Sequence, residues 1–184
     1  MWNGAGSNRA PSQTYQACGS SSSLIGAYRT TDPATRVAVW LRPYEAKDED
    51  AAVALWLRSW QTAYPQMDFA KRLDWWRERW RSELVPACRI TVAMAGEAMA
   101  GFVTVEPRTS YLDQLVVAPE AWGSGAAAAL VDAAKRASPS GLDLHVNRDN
   151  ARAIRFYEKH GFAVSGEETN PRSGAPVYRM SWRL

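Results

Sequence analysis

The sequence predicts one α/β domain in which a mixed, mainly antiparallel sheet is flanked by helices. Three observations lead there. Two strand-like runs, Arg89–Met94 and Met99–Glu106, are joined through Ala95, Gly96 and Glu97, the short glycine-bearing connection of an antiparallel hairpin. A further apolar run, Tyr111–Val117, ends at Pro119 and is followed by a glycine turn and the alanine-rich stretch from about Gly125 to Ala137, which reads as strand, tight turn and helix. The 184 residues, 46% hydrophobic and 22% charged, suit a single globular core with little room for a second.

Each element follows from its local pattern. Residues 1–35 are rich in Ser, Gly, Asn and Thr and are expected to form a disordered or loosely packed leader, although Leu24, Ile25 and Tyr28 leave open a short added strand or helix. The domain is expected over residues 36–184. Val37, Val39 and Leu41 alternate over Arg36–Arg42, the period of a half-buried strand. Asp48, Glu49 and Asp50 supply the negative charge favoured at a helix start, and Val53, Trp56, Trp60 and Ala63 then recur at helical spacing until Pro65. Asp68 is expected to cap a second amphipathic helix, with Phe69, Leu73, Trp76 and Trp80 on its apolar face and Arg77, Arg79 and Arg81 mainly elsewhere. Beyond the alanine-rich helix, Leu142–Val146 reads as a strand, Ala151–His160 as a helix closed by Gly161, and Phe162–Glu168 and Val177–Leu184 as the last strands.

Composition narrows the function. A formal net charge of +3, with Lys and Arg scattered along the chain, does not favour a nucleic-acid partner. The small-apolar run Ala126–Val131 is far shorter than the roughly 20 residues that cross a bilayer, so no membrane span is expected. The first residues lack the charged start and apolar centre of a secretory signal, which makes the cytoplasm the expected compartment. Cys18 and Cys88 form neither a disulfide framework nor a CxxC site, and His145 and His160 join no His/Cys/carboxylate cluster, so no metal is expected.

The chemistry points to the turn after Pro119. Glycines at 123 and 125 remove Cβ atoms that would hold a phosphate away from the main chain, and the helix that opens there brings about half a positive charge to its first turn. Gly123, Gly125 and Ala128 also satisfy a loose dinucleotide pattern with Asp143 further on, but a hairpin precedes the turn where a doubly wound fold would begin with it. A nucleotide P-loop is excluded because no Gly-Lys-Ser/Thr follows. A plain structural turn remains the alternative. Likewise, Asn150 reads either as a helix cap or as a ligand contact, and Tyr157 either as a packed aromatic or as an acid.

The second stretch, Asn150-x-x-Ala153-x-x-x-Tyr157-x-x-x-Gly161-Phe162, together with Gly125 and Ala127 in the turn, resembles motifs B and A of the GNAT superfamily of N-acetyltransferases. Trp122 stands where motif A usually has Gln or Arg. The resemblance covers about Tyr111 to Phe162 and implies transfer of an acetyl group from acetyl-CoA to an amine. It further implies that the pantetheine arm lies between two splayed parallel strands, Tyr111–Val117 and Leu142–Val146, against main-chain groups of Leu115, Val116 and Val117. Gly123, Ser124, Gly125, Ala126 and Ala127 would then hold the diphosphate, Asn150 would help seat the cofactor, and Tyr157 would protonate the departing thiolate.

An amine acceptor is mostly protonated at neutral pH, so a proton acceptor is required. Asp113, in a stretch that resembles the corresponding strand of aminoglycoside acetyltransferases, is one candidate and Glu106 is the other; a solvated carboxylate is the alternative for each. Trp56, Trp60, Trp76 and Trp80 fit core packing by spacing, whereas Tyr64 and Trp75 fit it less well. The resemblance places this helix pair beside the acceptor, so Trp60 and Tyr64 are candidate contacts for a cationic amine. The acceptor class, a small molecule or a protein, stays open, as does the formation of a homodimer. Two rival readings are a non-catalytic acyl-CoA-binding module and a nucleic-acid adaptor.

Overall fold

The structure, a computed structural model, describes residues 38–170 and 174–184. The expected leader lies outside the described residues. Seven strands form one sheet in the order β1-β2-β3-β4-β5-β7-β6. They are β1 (Val39–Pro43), β2 (Arg89–Ala95), β3 (Ala98–Glu106), β4 (Tyr111–Val117), β5 (Gly141–Asn147), β6 (Ala163–Thr169) and β7 (Pro176–Arg183). Every neighbouring pair is antiparallel except β4–β5. Gly96, at φ 62°, turns the expected β2–β3 hairpin.

The helices form one layer on each face. On one side α4 (Ala126–Ala137) and α5 (Ala151–Lys159) bury Leu130, Val131, Ala153 and Tyr157 against Leu112, Leu115, Leu144 and Val146 of the sheet. On the other side α1 (Glu49–Ala63) and α2 (Leu73–Arg79) bury Trp56, Trp60, Trp76 and Val53 against Val92, Phe102 and Val116. Asp48 does more than favour the start of α1. Its buried carboxylate accepts two hydrogen bonds from Arg42, at 2.6 and 2.7 Å, and a third from the Glu45 N–H, which ties β1 to the helix entry. Those partners hold the Asp48 carboxyl below the usual carboxylate range, with the Arg42 contact as the leading cause.

The second helix departs from expectation. Asp68 does not cap it: the helical path opens one residue later as a 3-10 turn, Ala70–Arg72, and the Asp68 carboxylate faces Lys71 instead. It runs through α2 into a π turn, Trp80–Leu84, and a final turn α3 (Val85–Ala87). Arg79, expected on the polar side, is 4% exposed. It lies three residues after Trp76, on the buried stripe, and its side chain reaches β4 immediately before the π turn.

Two features of β4 place the site. Pairing with β3 shifts register so that Gln114 faces Thr104 and Leu112 faces Val105, leaving Asp113 as a bulge. The extra residue breaks the two-residue period, so Leu112 and Leu115 face the same cluster with two residues between them. Second, β4 and β5 pair only at Tyr111 and Asp143, where the Asp143 N–H donates to Ser110 O at 2.9 Å. Beyond that point they part, while β3 and β7 remain paired to their outer edges throughout.

Close approach across the sheet generates a test. A Cβ at Gly101 of β3 would stand 2.8 Å from Val116 O and 3.0 Å from Leu130 Cδ1. Gly101→Ala should therefore destabilise the fold by about 1–3 kcal/mol, as overpacking does, measured by urea unfolding. An unchanged midpoint would show that β3, β4 and α4 are not in such close contact.

Candidate active site

The opening between β4 and β5 leads directly to the turn that starts α4. Strand alternation decides which main-chain groups face it. The Ala118 N–H donates to Ala100 O on the β3 side, so the groups of Val116 also turn to β3, and those of Leu115 and Val117 turn to the opening. Val116 is thus set away from the gap and contributes its side chain to the α1/α2 core. The Val117 carbonyl accepts from Trp122 Nε1 at 3.1 Å and from Ser59 Oγ at 3.4 Å.

Gly123 and Gly125 carry φ values of 80° and 93°, which glycine adopts without strain. No atom lies within 4 Å of where their Cβ atoms would stand, so both glycines face open space. Ser124 Oγ accepts the Ala126 N–H, and Gly125 is the residue from which α4 departs. Leu115, Val117, Gly123, Gly125 and Ala127 line one cavity of about 360 Å³, together with Ala153 and Arg152 of α5. Val116, Ser124, Ala126, Asn150 and Tyr157 are not among its lining residues.

Asn150 and Tyr157 stand immediately behind that wall. With Ala153 they form the i, i+3, i+7 stripe of α5 that faces the sheet. Asn150 is fully buried; its Oδ1 accepts the Ala153 N–H at 3.0 Å, and its Nδ2 is a buried donor without a partner among the described residues. A buried amide donor left over after capping is unusual and suits a ligand carbonyl or phosphate beside it. Tyr157 is 2% exposed and packs in the same cluster as Leu115, Leu144 and Val146, the residues on either side of the opening. Burial pushes its phenol well above the ordinary tyrosine value, so it is held protonated.

The opposite face of the opening carries the remaining candidates. Asp113 is buried, with Oδ2 at 2.6 Å from Arg79 Nη2 and Oδ1 accepting from Gln114 Nε2 at 2.8 Å. Both oxygens are thus taken by hydrogen-bond donors. Glu106 is more accessible and faces Arg108, at 3.3 Å. Between them the Cys88 thiol is pushed up to about 12, by burial and then by the charges of Asp113 and Glu106, which leaves it inert. Tyr64, at the end of α1, accepts a hydrogen bond from Asn147 Nδ2 of β5 at 3.2 Å and so spans the α1/α2 side of the gap. Trp60 is 2% exposed and stacks on Tyr64 with centroids 5.6 Å apart, which makes it a support for that ring instead of a contact surface.

Three further residues stand at the site with little or no signal in the sequence. Arg79 was discoverable by its i+3 relation to Trp76. Asn147, at the end of β5, carried no signal beyond its place in the strand. Arg152 stands over the Trp122 ring at 4.3 Å, a contact between distant segments that no spacing encodes. Among the described residues no group of His, Cys, Asp and Glu is arranged to hold a metal, and no helix is long and apolar enough to cross a membrane.

The family model of the GNAT acetyltransferases matches residues 49–162, from the first residue of α1 to the Phe that follows α5. The chain belongs to the GNAT acetyltransferase family. This GNAT chain is 31% identical over 96 residues to the peptidyl-lysine N-acetyltransferase YjaB of Salmonella typhimurium, a match spanning 52% of the chain and 64% of that protein's length. Its fold is shared with apo YjaB from Escherichia coli, at TM-score 0.63 and 24% identity over 79% of this chain and 97% of that one. It is shared equally with a PaiA N-acetyltransferase from Thermoplasma acidophilum in complex with coenzyme A, at TM-score 0.62 and 19% identity over 80% and 99%.

The Arg79–Asp113 pair is testable through stability. Arg79→Met leaves a buried carboxylate without its cation and should cost about 3–5 kcal/mol in urea unfolding, whereas adding Asp113→Asn should recover part of the loss. A double variant that is less stable than Arg79→Met would contradict the pairing.

Proposed function

We propose that this GNAT protein transfers an acetyl group from acetyl-CoA to a primary amine of a small molecule or a protein, by direct attack across the β4–β5 opening. The observation that carries the reading is the continuity of that opening with the glycine turn of α4, which supplies a slot for a long arm and an anion site at its end. The cosubstrate contributes an activated acyl thioester.

In this reading the Leu115 main-chain groups and the Val117 N–H align the arm, and the amides of Gly123, Gly125 and Ala127 hold the diphosphate at the positive end of α4. The spare Nδ2 of Asn150 donates to the cofactor while its Oδ1 keeps α5 capped. Tyr157, held protonated by burial, gives its proton to the thiolate as the thioester breaks. Glu106, directly or through water, takes the proton from the amine. Asp113, neutralised by Arg79, holds β4 against the second helix at the edge of the opening, and Tyr64 borders the entry of the amine. The peptidyl-lysine specificity in the YjaB name supports lysine side chains as one acceptor class to be assayed, beside polyamines and other small amines.

Holding two reactants in line contributes about 7–11 kcal/mol, against roughly 3–5 kcal/mol for one acid acting at 10²–10⁴-fold. Alignment therefore dominates. Turnover of acetyl-CoA against a panel of amines, with the product identified by mass, should show a gain of one acetyl group. Tyr157→Phe should lower kcat by about 10²-fold while coenzyme affinity changes by less than about twofold. Full turnover in Tyr157→Phe would remove the acid role, and coenzyme binding without turnover on any amine would favour a non-catalytic module.

A further inference from the structure

We propose that Arg152 is a cofactor-phosphate clamp, held in place by the ring of Trp122. The inference rests on the acetyl-CoA reading above and concerns the one position in the turn that departs from the family pattern. Trp122 cannot offer a cation or an amide to a phosphate there, and its single polar atom is committed, since Nε1 donates to Val117 O at 3.1 Å. That bond fixes the indole plane at the mouth of the cavity. The Arg152 guanidinium lies over the ring, 4.3 Å from the centroid.

Three properties make Arg152 available to an anion. It is the second residue of α5, exposed, and lines the same cavity as Gly123 and Gly125. No carboxylate pairs with it among the described residues, and the acid nearest in sequence to Trp122, Glu120, is taken by Arg58 at 2.9 Å. Its guanidinium carbon sits over the Trp122 ring, a contact that uses no hydrogen bond and so leaves its N–H groups for phosphate oxygens, which Arg binds in pairs. The chemistry recognised is a phosphate oxyanion, and because Trp122 shares its turn with Gly123 and Gly125 the phosphate is the diphosphate of the coenzyme instead of its 3′-phosphate. The aromatic platform thus replaces a cation on the turn with one borrowed from α5.

Calorimetric titration of the full chain with coenzyme A and with 3′-dephospho-coenzyme A tests this without recourse to turnover. Arg152→Ala should weaken both ligands about tenfold, a modest figure because the group is exposed. Trp122→Leu should weaken them about threefold, and the double variant should be no weaker than Arg152→Ala by more than about twofold, since both changes act through one contact. Wild-type affinity in Arg152→Ala would overturn the clamp. Additive losses in the double variant would overturn the platform role of Trp122, and a loss seen with coenzyme A but not with the dephospho form would overturn the diphosphate assignment. Absence of binding by the unaltered protein would instead refute the acetyl-CoA reading itself. Thermal unfolding of each variant, expected at the wild-type midpoint for Arg152→Ala, separates lost binding from lost fold.

Discussion

The parting of β4 from β5 after a single paired residue is the constraint on which the site depends. Adjacent strands normally continue to pair because unmet N–H and C=O groups are costly away from water. Here both strands keep their outer neighbours along their full length, so the opening is not a frayed edge but a gap held between two rigid half-sheets. The Asp113 bulge adds local bending to β4 where the strands begin to diverge. The Leu115 main-chain groups and the Val117 N–H are thereby presented to whatever occupies the gap, and a ligand with amides along its length is the chemistry that would satisfy them.

Around that gap the two helical layers do different work. The α4/α5 layer supplies the glycine turn, the capping Asn150 with its spare donor, and the buried Tyr157 phenol. The α1/α2 layer supplies Arg79, which pairs with Asp113 of β4, and aromatic surface through Tyr64, backed by a packed set of tryptophans. The sheet separates the two layers until they meet at the opening.

Much of this was legible in the sequence because it is local. The hairpin is written in Gly96, the tight turn before α4 in Gly123 and Gly125, and the α5 stripe in the spacing of Asn150, Ala153 and Tyr157. What escaped is what only tertiary contact decides. A bulge at Asp113 reassigns the faces of β4, which no regular period foretells. Burial of Arg79 depends on a partner 34 residues away, and the role of Val116 depends on which edge of β4 its main chain faces. The amphipathic character of the second helix is legible in its spacing, but its 3-10 start and π turn follow from fitting Trp76, Trp80 and Arg79 against the sheet at once.

The central claim is that the β4–β5 opening and the α4 turn form one continuous binding surface. Amide resonances followed by two-dimensional NMR during addition of acetyl-CoA test it directly. The account predicts saturable shifts at Leu115, Val117 and Gly123 to Ala127, with the amides of β6 unaffected. Shifts confined to other parts of the sheet, or none at a coenzyme excess that saturates a related enzyme, would contradict it.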